Sequence, residues 1–512
     1  MLRLFLSLVS GLALVGLLPA AENPAPPAIK VELLECPSTA SATAPTLARA
    51  PDGTVWLAWI EAASGGASVR CAALDAATRQ WSVPCRVATG ARILDLDSTP
   101  PALAVGPAGR ITVAWSEGSA SFPKTESVFF SSSADAGATW SAPAPLTAES
   151  SATAHPVFTV LADGRVLAAW LDRRGRAVGD RDTRLFARIL GESPARDVLI
   201  EPRVSENSPP ALAPFPDGSA LLSYRTLGDD DIRDINVVRY RAGRWENDQK
   251  PNHDEWRSSQ CPASGPQLAT SGGRVAAAWF TAGDAPPRVR ISSSPDAGSR
   301  FLMPLTVDFG QPVGRPAISM LRDGALVTLW VEGESSRPNG PPSGIWLRRA
   351  TPDYSLDPPA LILAESPAKI RGQPRLAIVR DFAGGAGDAL LLAAFSGIGV
   401  GGGLRSYLIT IPEGALLAAS AECGCAPSPD QVMGFPIRGI IVSVDPARGE
   451  VVVKHPEVPG LRVGGAHPYR AAPELIARVQ PGRDFLARID PNGDTWTLFD
   501  LRLLVLPPDK KK

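Results

Sequence analysis

Apolar residues in this chain gather in short runs bounded by polar turn residues, and the runs come in pairs divided by a tight turn. Short apolar runs set off by such turns belong to β-strands. One pair recurs roughly every 50 to 65 residues, starting at a proline and ending in an aromatic residue. The copies read PTLARAPDGTVWLAW from Pro45 to Trp59, PALAVGPAGRITVAW from Pro101 to Trp115 and PVFTVLADGRVLAAW from Pro156 to Trp170. PALAPFPDGSALLSY from Pro210 to Tyr224, PQLATSGGRVAAAW from Pro266 to Trp279 and PAISMLRDGALVTLW from Pro316 to Trp330 follow, and a looser seventh copy ends at Phe395.

Asp52-Gly53, Asp163-Gly164, Asp217-Gly218 and Asp323-Gly324 supply the positive φ that a tight hairpin needs. Third and fourth strands follow in most copies, as in SVRCAAL and WSVPCRV of the first. Four antiparallel strands per unit, repeated in one order, predict an all-β fold built on a β-propeller. Seven blades are favoured, with six as the alternative. The last unit lacks an evident fourth strand, and the leftover run Ile29 to Leu34 can pair there and close the ring, removing exposed sheet edges. The propeller is assigned to residues 28–418.

Composition narrows the setting. Lys and Arg number 51 against 52 Asp and Glu, with a basic block only at Lys510 to Lys512, which excludes nucleic acid as a partner class. The 51 Pro and 47 Gly are spread at intervals, as turns between strands require, rather than massed in linkers. Residues 1–21 read as an export signal: Arg3, an apolar run from Leu4 to Leu18, then Pro19-Ala20-Ala21. An uncleaved anchor is the competing reading. The chain is expected in a periplasm or outside the cell, as a monomer without a membrane span after cleavage. Among the six cysteines, Cys71 and Cys85, on consecutive strands, are the best candidates for a disulfide; Cys36 and Cys261 are unassigned.

Ser133, Asp135, Gly137 and Trp140 stand in the pattern S-x-D-x-G-x-T-W between the third and fourth strands of the second unit, and Ser294, Asp296 and Gly298 repeat it in the fifth. This resembles the Asp-box of sialidases and related propellers, where these residues are structural. Tyr224-Arg225, the run Asp231 to Ile235, Asp254 to Trp256 and Cys261 to Pro266 are also similar to bacterial proteins of that group. The resemblance implies a propeller. An active sialidase would in addition use three arginines for a substrate carboxylate, a Tyr/Glu nucleophile pair and an Asp acid/base. The early Arg-Ile-Pro of such enzymes is absent, and Tyr224 reads as a substitute for the buried Trp of other units.

In a four-stranded meander, residues just past the second strand lie on the face away from the Asp-Gly turns. There the units offer Glu61, Glu117, Asp172, Arg173, Arg174, Arg225, Arg233, Asp234 and Glu332, a candidate pocket at one mouth of the channel. A solvated rim is the plain alternative. No catalytic residue is assigned. The leading reading is a non-enzymatic platform for a carbohydrate or an envelope protein; the alternative is a sialidase-like glycoside hydrolase acting on terminal sugars. His155 and His253 read as ordinary polar residues.

Beyond a Cys-containing linker (residues 419–433) the pattern changes. Residues 434–506 predict about five strands and a short helix over Ala472 to Gln480, the size of an OB-like barrel. Phe435 to Asp445 and His455-Pro-Glu457-Val-Pro459-Gly460 resemble the copper-binding domain of periplasmic copper-efflux chaperones. That implies a copper site and a role in metal handling, yet Arg462, Gly465 and His467 occupy the family's Met positions. Thioethers suit Cu(I), whereas His455 with His467 suits Cu(II) or zinc. Cys423 and Cys425 are further candidate ligands should the linker fold back.

Overall fold

A computed structural model describes residues 29–118, 126–147, 153–174, 183–283, 286–336, 340–352, 354–381, 388–398, 403–412, 435–455, 464–490 and 496–503. The export signal, the linker with Cys423 and Cys425, and Arg462 lie outside the described residues. Among these residues no helix is long and apolar enough to cross a membrane.

The chain is all-β. The first unit pairs Thr43–Arg49, Val55–Ala63 and Gly66–Asp75 in order, and both Gln80–Trp81 and Cys85–Gly90 add to the last of these. Six further antiparallel sheets of four strands follow. Their first strands are Ala102–Val105, Thr153–Val160, Ala211–Pro214, Gln267–Ser271, Pro312–Met320 and Ile370–Arg380. Each first strand neighbours that of the next unit, and Ile370–Arg380 returns to Thr43–Arg49, so the sheets surround a common axis. The outermost strand of the last sheet is Lys30–Leu34, paired antiparallel to Gly403–Ile411 with Lys30 opposite Thr410.

The second strands explain the repeating sequence. Trp59, Trp115, Trp170, Trp279 and Trp330 are among the largest fully buried side chains, each wedged between neighbouring sheets. The Asp-Gly turns cap themselves: Asp52, Asp163, Asp217 and Asp323 each accept the backbone N–H two residues on, at 2.8–3.0 Å. In the Asp-box, Ser133 Oγ donates to Asp135 (2.8 Å) and accepts from Gly137 N (2.8 Å), while Thr139 donates its N–H and hydroxyl to Asp135 (2.8 and 2.6 Å). These donors hold the Asp135 carboxyl down at about 2. The fifth-unit copy keeps the scheme, with Arg300 in the place of Thr139.

The C-terminal residues form a closed barrel in which Phe435–Asp445, Glu450–His455, Gly465–Ala471, Thr497–Leu503 and Asp484–Asp490 follow one another around the wall. The helix is shorter than the apolar pattern suggests, Pro473–Ile476, and closes in a turn where Arg478 N donates to Leu475 O at 3.0 Å. Val451, Val453, Tyr469, Phe485 and Ile489 fill the interior.

Candidate functional site

The charged residues past the second strands turn inward. Residues i and i+2 of a strand share a face, so a carboxylate two positions beyond a buried Trp can reach its indole. Trp59 donates to Glu61 (3.1 Å), Trp115 to Glu117 (3.0 Å), Trp170 to Asp172 (3.0 Å) and Trp330 to Glu332 (2.6 Å). In the fifth unit Thr281 stands at that position and Asp254 replaces the cap from a neighbouring loop, at 2.6 Å. Glu61 also pairs with Arg70, Glu117 with Arg92 (3.3 Å), and Asp172 with Arg174, whose guanidinium continues to Asp197 (2.6 Å) and lies over Phe186. Glu332 accepts Gln311 N at 2.8 Å, and burial pushes its carboxyl above the usual range.

Arg225, Arg233 and Asp234 form a second internal group. Arg225 is 1 % exposed and donates to the carbonyls of Arg233 (2.8 Å), Ser264 (3.2 Å) and Phe280 (2.7 Å), with Trp256 stacked beneath. Desolvation lowers this guanidinium to about 10. Arg233 reaches Ser258 O (2.7 Å), and Lys250 pairs with Asp234 (3.1 Å). Backbone carbonyls absorb most of these donors, so the group ties the fourth and fifth units together. Of the nine candidates only Arg173 keeps an open aspect, paired with Glu206 at 3.2 Å.

A different set occupies the starts of the first strands, level with the carboxylate caps because the strands run antiparallel: Thr43 faces Ile60, Thr153 faces Asp172, and Pro312 faces Glu332. The residue before the unit's opening proline is Ala44, Pro100, His155, Pro209, Gly265, Arg315 and Gln373 in turn. Ala44, His155 and Arg315 take φ of 54°, 51° and 56°, at register breaks in their strands. A left-handed residue before proline is a strained conformation that the surrounding sheet must hold. It also re-aims the side chain out of the strand's alternation.

Arg315, Arg371 and Arg375 flank these strand starts. Arg371 pairs with Asp97 at 2.6 Å, and Asp97 also accepts Ala44 N at 3.2 Å. Arg315 donates to Ile370 O (2.6 Å) and Arg375 to Pro45 O (3.2 Å). Burial lowers both guanidiniums, Arg375 to about 10, and Asp97 partly offsets the effect on Arg315. Their described hydrogen bonds go to main-chain carbonyls, so the cluster carries more positive than negative charge.

At the seam between the second and third units, Glu126 and His155 lie near Arg173. Glu126 Oε2 and His155 Nδ1 are buried and have no hydrogen-bond partner among the described residues. Burial raises the Glu126 carboxyl and lowers the His155 imidazole to about 4, so His155 is neutral at pH 7. Sequence reading passed over Asp97, Glu126, His155, Arg315, Arg371 and Arg375. Aligning the units on their opening prolines would have singled out His155 and Arg315, the two ionisable residues at that position.

In the barrel, His455 and His467 come together with ring centroids 5.3 Å apart. His455 is buried and its Nε2 lies 2.5 Å from the Tyr469 hydroxyl. Among the described residues no group of three or more His, Cys, Asp or Glu could hold a metal. Two imidazoles beside a phenol are borderline-to-hard donors, which does not fit a thioether-type Cu(I) site.

The sequence matches no described family profile, and no curated protein matches it significantly. Several solved structures superpose on it in part. A protein of unknown function from Dyadobacter fermentans is 14% identical with a TM-score of 0.40, covering 61% of this chain and 94% of its own. The Hadza microbial sialidase Hz136 is 11% identical with a TM-score of 0.37, covering 69% and 75%. An α-L-arabinanase of Penicillium chrysogenum, solved with arabinobiose, is 12% identical with a TM-score of 0.38, covering 76% and 99%.

Proposed function

We propose that the sheets are the seven blades of an exported propeller that recognises an anionic saccharide at the mouth where the first strands begin. The observation that carries this reading is that Arg371 pairs with Asp97, whose charge also acts on buried Arg315, while a third guanidinium, Arg375, donates to the Pro45 carbonyl next to Ala44, whose N–H Asp97 accepts. A guanidinium presents paired N–H groups that match a carboxylate or sulfate edge. Groups already desolvated lose little further hydration when such a ligand arrives, and the strained backbone at Arg315 holds one of them in place.

Calorimetric titration with short oligosaccharides tests it. Uronate- or sialate-terminated chains should bind and their neutral counterparts should not. Arg375→Gln with Arg315→Gln should weaken binding by at least tenfold. Equal binding of charged and neutral sugars would refute the reading.

Glu126 favours a second reading, cleavage of the bound glycoside. A carboxyl whose burial favours its protonated form is suited to protonate a leaving oxygen. A sialidase-type double displacement finds no tyrosine here. Tyr224 does bond a glutamate, Glu201, but is only 2 % exposed and out of a sugar's reach; Tyr240 packs on Trp245, Tyr354 reaches Ser293, Tyr407 stacks on Phe395 and Tyr469 bonds His455. Fluorogenic sialosides, uronides and arabinosides distinguish the cases. Turnover abolished by Glu126→Gln, with binding retained, establishes the hydrolase. For the barrel we propose an OB-like docking or stabilising module whose His455 and His467 take at most a weakly held divalent ion, Cu(II) or zinc.

A further inference from the structure

Two cysteines of the first unit stand directly opposite each other. Cys71 on Gly66–Asp75 is the register partner of Cys85 on Cys85–Gly90. Directly opposed residues of an antiparallel pair have Cα atoms about 4.5–5.5 Å apart, inside the range of about 4.4–6.8 Å that a disulfide spans. Both are free thiols here, Cys71 fully buried and Cys85 half-buried. Their neighbours differ from those of the other described cysteines. Cys36 donates to Ser406 Oγ at 3.2 Å, and Cys261 sits among Ser205, Asn207 and Arg233.

We propose that Cys71 and Cys85 are a thiol–disulfide exchange site, with Cys85 the attacking sulfur and Cys71 the resolving one. The oxidant is a disulfide, either a small molecule such as oxidised glutathione or an exposed disulfide of a protein. The Cys85 thiolate attacks one sulfur of that disulfide and expels the first thiol, leaving a mixed disulfide. Cys71 then loses its proton and attacks Cys85 Sγ, releasing the second thiol. The oxidant's disulfide is reduced to two thiols, and the two cysteine thiols become one S–S bond.

The division of labour follows from position. Solvent reaches Cys85 and not Cys71. The hydrogen bond from Cys71 lowers the Cys85 thiol to about 7, despite its own partial burial and the Asp135 charge. Cys71, whose proton serves that bond, is pushed up by the bond and by burial. The new bond would staple the outer strand of the first unit at its seam with the second. Cys85 Sγ packs against Gly137 of the Asp-box so closely that a Cβ there would lie 2.7 Å from the sulfur.

The test starts from the fully reduced full-length chain and uses oxidised glutathione, followed by alkylation in denaturant and peptide mass spectrometry. The wild type should lose two alkylatable thiols, yield a Cys71–Cys85 linked peptide and retain no glutathione. Cys71→Ser should stop at one glutathione on Cys85, and Cys71→Ala, which keeps the buried site apolar, should do the same. Cys85→Ser should leave Cys71 unmodified in the folded protein. Wild-type protein in which Cys71 and Cys85 both stay alkylatable, or in which Cys85 links to another cysteine, would overturn the proposal.

Discussion

The indole N–H of Trp330 donates to Glu332 at 2.6 Å, and the same link recurs between Trp59 and Glu61, Trp115 and Glu117, and Trp170 and Asp172. A buried Trp gives its sheet a large apolar surface but leaves one polar hydrogen to satisfy. The repeat meets that need with a carboxylate two residues along the same strand face. Glu332→Gln keeps an acceptor and should cost about 1 kcal/mol or less, whereas Glu332→Ala should cost about 1–3 kcal/mol by stranding the indole. Chemical denaturation of the two variants checks the order.

Glu332 also carries a pH signature. Its carboxyl is raised in the fold, so the native state holds a proton that the unfolded chain has already released. Stability from this group is fully present below the ordinary Glu value and declines as pH rises through the raised one. Glu332→Gln should therefore narrow its deficit against the wild type as pH climbs from 4 toward 7, read from melting temperatures across that range.

His155 titrates in the opposite sense. Its imidazole is held at about 4 against an ordinary 6.5, because burial and Arg173 disfavour the cation. The unfolded chain takes up a proton first as pH falls, so stability should drop between about 6.5 and 4. His155→Gln should flatten that limb. An unchanged slope would show that the imidazole is as well hydrated in the fold as in water.

Gly137→Ala should destabilise by about 1–3 kcal/mol, since φ of 85° and the Cys85 sulfur both oppose a Cβ. Gly218, also at positive φ but with nothing within 4 Å of a Cβ, should tolerate alanine better. Comparing the two melting temperatures separates backbone strain from collision.

In the barrel, the full-length chain should lose Cu(I) to a competing chelator, and any Cu(II) or zinc uptake should fall on His455→Ala. Tight Cu(I) retention would require donors beyond the two imidazoles and the phenol.

The sheets were legible in the sequence because each hairpin restates its opening proline, its turn and its aromatic end. Lys30–Leu34 could be placed because only the last unit lacked a partner strand. The site was harder to read. Glu61, Asp172 and Glu332 look like pocket residues when strands are counted, yet period two puts each on the buried Trp face. Arg225 looks like a solvent cation, but the carbonyls of Arg233 and Ser264 in two loops and of Phe280 in a neighbouring strand converge on it, and no local pattern announces such convergence. Arg371 and Asp97 are far apart in the chain and meet only once the ring is drawn around its axis.

The outermost strand of the final sheet comes from the beginning of the chain, with Lys30 opposite Thr410. During synthesis, that first segment must wait, edge exposed, until nearly the whole ring has emerged. Contacts so distant in sequence form slowly. The late step in maturation is therefore a clasp, and an agent that occupies the waiting edge of Gly403–Ile411 would hold the toroid open.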